Sequence, residues 1–172
     1  MSISGRLTSR STPLRLLRRL RPTRQTGARV SSNVRAPMDL TSLSIHSTHS
    51  DCELVLNHCR DEQLRVNLKG AGISASAHVS IFTDAGGLNR YFQELGKLER
   101  PWPGERSWAS IEEDFLLSVT CTSLGIVAFR VELRGAQGAP EGWWVKAGIL
   151  LELGQLPQIA RKSNAFFSAA PP

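Results

Sequence analysis

In stretch after stretch between Cys52 and Leu153, apolar residues recur at every second position, the period of strands with one dry and one wet face. Leu64, Val66 and Leu68 alternate with Arg65, Asn67 and Lys69. Ile73, Ala75, Ala77, Val79 and Ile81 alternate with Ser74, Ser76, His78 and Ser80. Further on come the rows Phe115, Leu117, Val119, Cys121 and Val127, Phe129, Val131, Leu133, then Trp143, Val145, Ala147, Ile149, Leu151, Leu153. A turn-like segment at 59–62 joins Cys52–His58 to Gln63–Lys69, and one at Ser123–Gly125 marks a second hairpin. Between these groups the period lengthens to that of a helix. Leu88, Tyr91, Phe92 and Leu95 fall on one side of a segment over about 86–98, with Asp84 at its N-cap. Pro157 suits the first turn of a closing helix with the stripe Leu156, Ile159, Ala160, Ser163 and Phe166 or Phe167. The order β-β-β-α-β-β-β-α predicts an α+β fold, an antiparallel sheet of about six strands with both helices on one face; a sandwich is the main alternative.

Charge separates this domain from what precedes it. Nine arginines lie within residues 1–38, with no lysine and no acid, so the remaining 12 basic residues face all 15 acidic ones and residues 39–172 carry a net charge of about −3. The basic character belongs to the leading segment, which removes the electrostatic case for nucleic-acid binding by the folded part. Three readings of residues 1–38 compete. Leu14, Leu16, Leu17 and Leu20 oppose Arg15, Arg18 and Arg19 around a helix, as in an organelle presequence. The segment also suits a basic arm for phosphates or anionic lipid. Translation from Met38, the only methionine besides Met1, is the third. The expected organisation is a disordered extension at 1–38, a polar lead-in at 39–51, one domain at 52–167 and a tail at 168–172. No apolar run is long enough to span a bilayer. Three cysteines without a Cys-x-x-Cys pair favour a reducing compartment.

Few residues group as a reaction centre would require. His46, His49, Asp51, Cys52, His58 and Cys59 crowd a short span, but no second ligand pair follows at zinc-site spacing, so neither a metal nor a cofactor is expected. No Gly-x-Ser-x-Gly elbow and no phosphate-cradling Gly-Lys-Ser/Thr loop occurs. Cys121 fits a buried core position by its alternation, and His78 lies on a wet face.

The most distinctive segment is Trp102-Pro103-Gly104-Glu105-Arg106-Ser107-Trp108, where two tryptophans flank a charged pair. One reading makes it a recognition patch; the other has Trp108 plug the core edge while Glu105 or Arg106 ties down the loop. With Leu117-Ser118-Val119, the run Arg130–Arg134, Gly142-Trp143-x-Val145 and Leu151–Gly154, this segment resembles a family of small uncharacterised bacterial proteins common in actinobacteria, over roughly residues 52–167. The resemblance implies a bacterial cytoplasmic protein and supplies no activity or catalytic residue.

The second face of the later strands offers the best functional clue. It presents Leu116, Ser118 and Thr120, then Arg130, Glu132 and Arg134, then Trp144, Lys146, Leu150 and Glu152, while Trp143 points inward. Large aromatics on an otherwise polar open face suit partner binding. The expected function is a non-enzymatic protein-interaction module of immunity-like or regulatory kind, contacting a protein partner through Trp144, Arg130, Lys146, Leu150 and Glu132. The rival expectation is a small-molecule binder or enzyme with a pocket near Trp102, Glu105, Arg106 and Trp108.

Overall fold

The computed structural model describes residues 41–59, 63–70, 72–81, 85–135 and 141–169. The fold is α+β, with two antiparallel four-stranded sheets and two helices. The first sheet is a meander of β1 (Ser42–His46), β2 (Glu53–His58), β3 (Gln63–Gly70) and β4 (Ile73–Ser80). After α1 (Ala85–Gly96), a second meander follows: β5 (Glu105–Ala109), β6 (Phe115–Cys121), β7 (Ile126–Arg134) and β8 (Trp144–Glu152). A short 3-10 turn, Leu153–Gln155, leads into α2 (Leu156–Ser168). The chain thus runs twice through four strands and a helix.

Alternation decides what each sheet buries. Leu43 and Ile45 of β1 stand opposite Leu56 and Leu54, and these join Leu64, Val66 and Leu68 on the inner face. In the second sheet Phe115, Leu117 and Val119 pair with Leu133, Val131 and Phe129, all buried. Leu88, Tyr91, Phe92 and Leu95 of α1 and Leu156, Ile159 and Phe166 of α2 complete one core shared by both sheets. Full burial of each such side chain contributes about 1.5–3 kcal/mol. The helices also pack on one another through small and polar residues. A Cβ at Gly96 would stand 2.4 Å from that of Ala160. Beside this close approach Gln93 donates to the Ala160 carbonyl at 2.7 Å, and Ser163 donates to the Asn89 side-chain oxygen at 3.0 Å.

The single six-stranded sheet is corrected to two four-stranded sheets, and two strands escaped the sequence reading. The polar lead-in at 39–51 contains β1, because two apolar residues between hydroxyls are enough when both land in the core. The Trp102–Trp108 segment is a loop only to Gly104; beyond it the chain pairs with β6 as β5. Strand pairing breaks between β4 and β5, where α1 intervenes. Trp143, expected inward, is 40% exposed because it lies beyond the first residue of β8, at the sheet's end. Cys121 is only half-buried, at the end of β6. The helix α2 runs on to Ser168, one residue into the expected tail. The Asp84 cap, the turn residues 60–62, the loop residues 136–140 and residues 1–40 lie outside the described residues.

The Gly96–Ala160 approach generates the first prediction. Gly96→Val should lower stability by about 1–3 kcal/mol, the usual range for overpacking a filled contact. Chemical denaturation measures it, and an unchanged midpoint contradicts the helix crossing described above.

Candidate functional site on the outer face of the second sheet

Because each inner residue of β5–β8 is followed by an outer one, the register assembles rows across the outer face. One row reads Ala109, Leu116, Glu132, Lys146; the next Ser107, Ser118, Arg130, Gly148; the third Glu105, Thr120, Ala128, Leu150. Arg130 reaches over β6 to Glu105, Nη1 to Oε2 3.3 Å. Lys146 meets its cross-strand neighbour Glu132 at 2.9 Å. At the end of the face Arg134 pairs with Glu113 at 3.7 Å. The two solvated arginine pairs contribute only about 0–1 kcal/mol each, so their main effect is to hold the side chains in place.

Trp144 is 56% exposed at the start of β8. The Lys146 ammonium lies 3.8 Å from its ring centroid and the Arg134 guanidinium 5.3 Å. The electron-rich indole face attracts both cations, which restrain the ring against the sheet. Next to it is a shallow hollow of about 280 Å³ with Glu105, Thr120, Arg130 and Lys146 around Gly148. Gly148 sits in an unbroken register opposite Arg130, and a Cβ there would meet nothing nearer than the Phe129 carbonyl oxygen at 4.0 Å. Neither backbone nor packing calls for glycine at this position. Its missing side chain is what opens the hollow.

The structure brings Trp144, Arg130, Lys146 and Glu132 onto one face, as the alternation implies. Leu150 shares that face, but its backbone is engaged, accepting from the Thr48 N–H at 2.8 Å. The loop motif is divided between environments. Glu105 lines the hollow, whereas Trp102 is only 8% exposed and its indole N–H has no hydrogen-bond partner. Trp108 is half-buried and packs edge-on against Phe115, with centroids 5.6 Å apart. Arg106 lies 5.9 Å from the Trp102 ring. The two tryptophans therefore serve the core and its margin, and the hollow contains neither Arg106 nor a histidine. Sequence reading passed over Gly148; the signal was a glycine at an outward position of a strand that needs no turn.

The histidines and cysteines of the early cluster go separate ways. His46 pairs with Glu53 at 3.4 Å and His49 contacts the Thr48 hydroxyl at 2.9 Å. His58 stacks on Phe166 at 3.9 Å, and Cys52 enters the core. His78 accepts from Arg65 at 3.2 Å on the outer face of the first sheet. No cluster of three or more candidate metal ligands occurs among the described residues. Nor is any helix among them long and apolar enough to cross a membrane.

The sequence profile of a family of unknown function, DUF6228, matches residues 45–170, from the end of β1 through α2. The chain belongs to this family. The second sheet and its whole outer face fall within the DUF6228 match, so the face is part of the family's own domain. No functionally curated protein matches the chain.

On the core side of β5, Tyr91 of α1 donates to the Arg106 carbonyl at 3.1 Å. Burial pushes its phenol well above its ordinary value near 10; the Glu105 charge adds to the shift and Arg106 opposes it. The folded state thus holds the phenol neutral while the unfolded chain ionises near pH 10. The associated stability is complete below that pH and is lost as pH rises above it. Tyr91 is the only tyrosine, so phenolate absorbance reports it alone. In an alkaline titration, that absorbance should rise together with unfolding, and the alkaline loss of stability should be shallower in Tyr91→Phe. A phenolate signal near pH 10 in the folded protein contradicts the assignment.

Proposed function

We propose that the outer face of the second sheet is a protein-contact surface and that the protein is a non-enzymatic interaction module. The observation that carries this reading is Trp144, more than half exposed yet held by Lys146 and Arg134 beside a hollow that no side chain fills. Aromatic and arginine anchors restrained before contact lose little conformational freedom on binding and carry most interface energy. The fitting partner accepts Trp144 and places in the hollow a group that Arg130 attracts, an aromatic ring or an acid. The free cysteines Cys52, Cys59 and Cys121 support a cytoplasmic setting, and an immunity-like or regulatory role is the proposed use of such a module. Residues 1–38 are, on this reading, an appendage to the contact domain. A second reading, a small molecule seated in the hollow, draws on Arg130 and Lys146 converging over Gly148.

Affinity capture from the source cells tests the proposal. Proteins enriched by the parent chain should be lost with Trp144→Ala/Arg130→Ala and retained with Arg65→Ala on the other sheet. An unchanged set with the double variant, further copies of the chain itself included, overturns it. A co-purifying small molecule seen by native mass spectrometry, lost in the double variant while the captured proteins remain, decides for the second reading.

A further inference from the structure

Among the described residues, the first half of β8 is a free edge. β8 pairs only with β7, and at Leu150 both backbone groups turn away from that partner: the carbonyl accepts from Thr48 and the N–H donates to the Ser47 hydroxyl at 3.4 Å. Since backbone groups alternate with period two along a strand, Gly148, Lys146 and Trp144 also direct their N–H and C=O to that side. Among the described residues none of these groups has a backbone partner. Burial tapers in the same stretch. Ile149 and Leu151 are buried on the inner face, whereas Val145 and Ala147 are only half-buried. An unpaired edge of this kind is a template for another strand.

The side chains along it complement themselves. A two-fold axis through Lys146 would set a second β8 antiparallel to the first, with Trp144 of each copy directly opposite Gly148 of the other. The indole then fills the hollow that Gly148 leaves, within reach of Arg130 for a cation–π contact. On the inner face the same register sets Val145 against Ala147 of the second copy. About six backbone hydrogen bonds would satisfy the edge.

Lys146 is the one unfavourable element, since it faces its own copy and like charges directly opposite are destabilising. Each ammonium, however, is already drawn back onto its own sheet by Glu132 at 2.9 Å. The four charges at the axis sum to zero. We infer that the free edge of β8 pairs antiparallel with a second copy of this chain, Trp144 of each copy seating over Gly148 of the other. This inference rests on the proposed contact face and names its partner.

Sedimentation equilibrium of the full chain, from low to high micromolar concentration, provides the test. A reversible dimer is expected. Trp144→Ala removes the anchor and Gly148→Val fills its seat, and each should raise the dimer dissociation constant at least about tenfold. Gly148→Val has open space and β-branched strand character, so its thermal stability should be unimpaired, which separates lost pairing from lost folding. For the register, Lys146→Cys brings two Cα atoms to about 5.5 Å, within disulfide range. Under mild oxidation it should cross-link faster than the parent or Ser76→Cys, which places a thiol on the outer face of the first sheet. A monomer at every concentration, a dimer indifferent to both substitutions, or cross-linking no faster than the Ser76→Cys control overturns the inference. A monomer whose captured proteins are still lost in Trp144→Ala/Arg130→Ala overturns only the second-copy assignment and leaves the contact face standing. A dimer broken by Trp144→Ala and Gly148→Val, from a chain whose other captured proteins are indifferent to the double variant, supports the inference.

Discussion

The fold depends on the close crossing of α1 and α2 at Gly96 and Ala160. Each meander has one apolar face that must be covered. The helices meet the requirement by presenting their apolar stripes to the shared core while touching each other through small and polar residues. Gln93 to the Ala160 carbonyl and Ser163 to Asn89 satisfy polar groups that this contact removes from water. A bulkier residue at position 96 would push the pair apart and loosen the core under both sheets.

With the inner faces closed, the outer faces remain, and they differ in chemistry. The first sheet shows Ser74, Ser76, His78, Arg65 and Lys69, all exposed, a surface that water solvates well. The second carries Trp144, Leu116 and Leu150 among paired charges, with a gap at Gly148. A solvated face has no physical need for an exposed indole or for a strand-centre glycine, since each forgoes a better strand former. Their coincidence on one face, at one edge, directs attention to β8.

Much of the architecture was legible because period-two alternation reports burial directly. The rows Leu64-Val66-Leu68 and Val127-Phe129-Val131-Leu133 are buried throughout, and the helix stripes fall where the period changes. Alternation identifies faces but says little about strand count when an element is short or polar. Hence β1, with Leu43 and Ile45 among hydroxyls, read as lead-in, and β5 was hidden behind Pro103-Gly104. Nor does a pattern tell where one sheet ends and another begins, which depends on the path of α1 in space. Trp143 shows a further limit: its parity was inward, but the core ends before it does. The outer-face residues were readable by parity alone, whereas the hollow and the free edge exist only once β7 and Ser47–Thr48 are placed beside β8.

Residue-resolved amide hydrogen exchange along β8 in dilute protein reads the free edge most directly. Exchange should alternate: slow at Val145, Ala147 and Ile149, whose amides point to β7, and fast at Trp144, Lys146 and Gly148, slowing as concentration rises. Uniform protection of all six amides at every dilution would contradict it, because the edge would then already be covered.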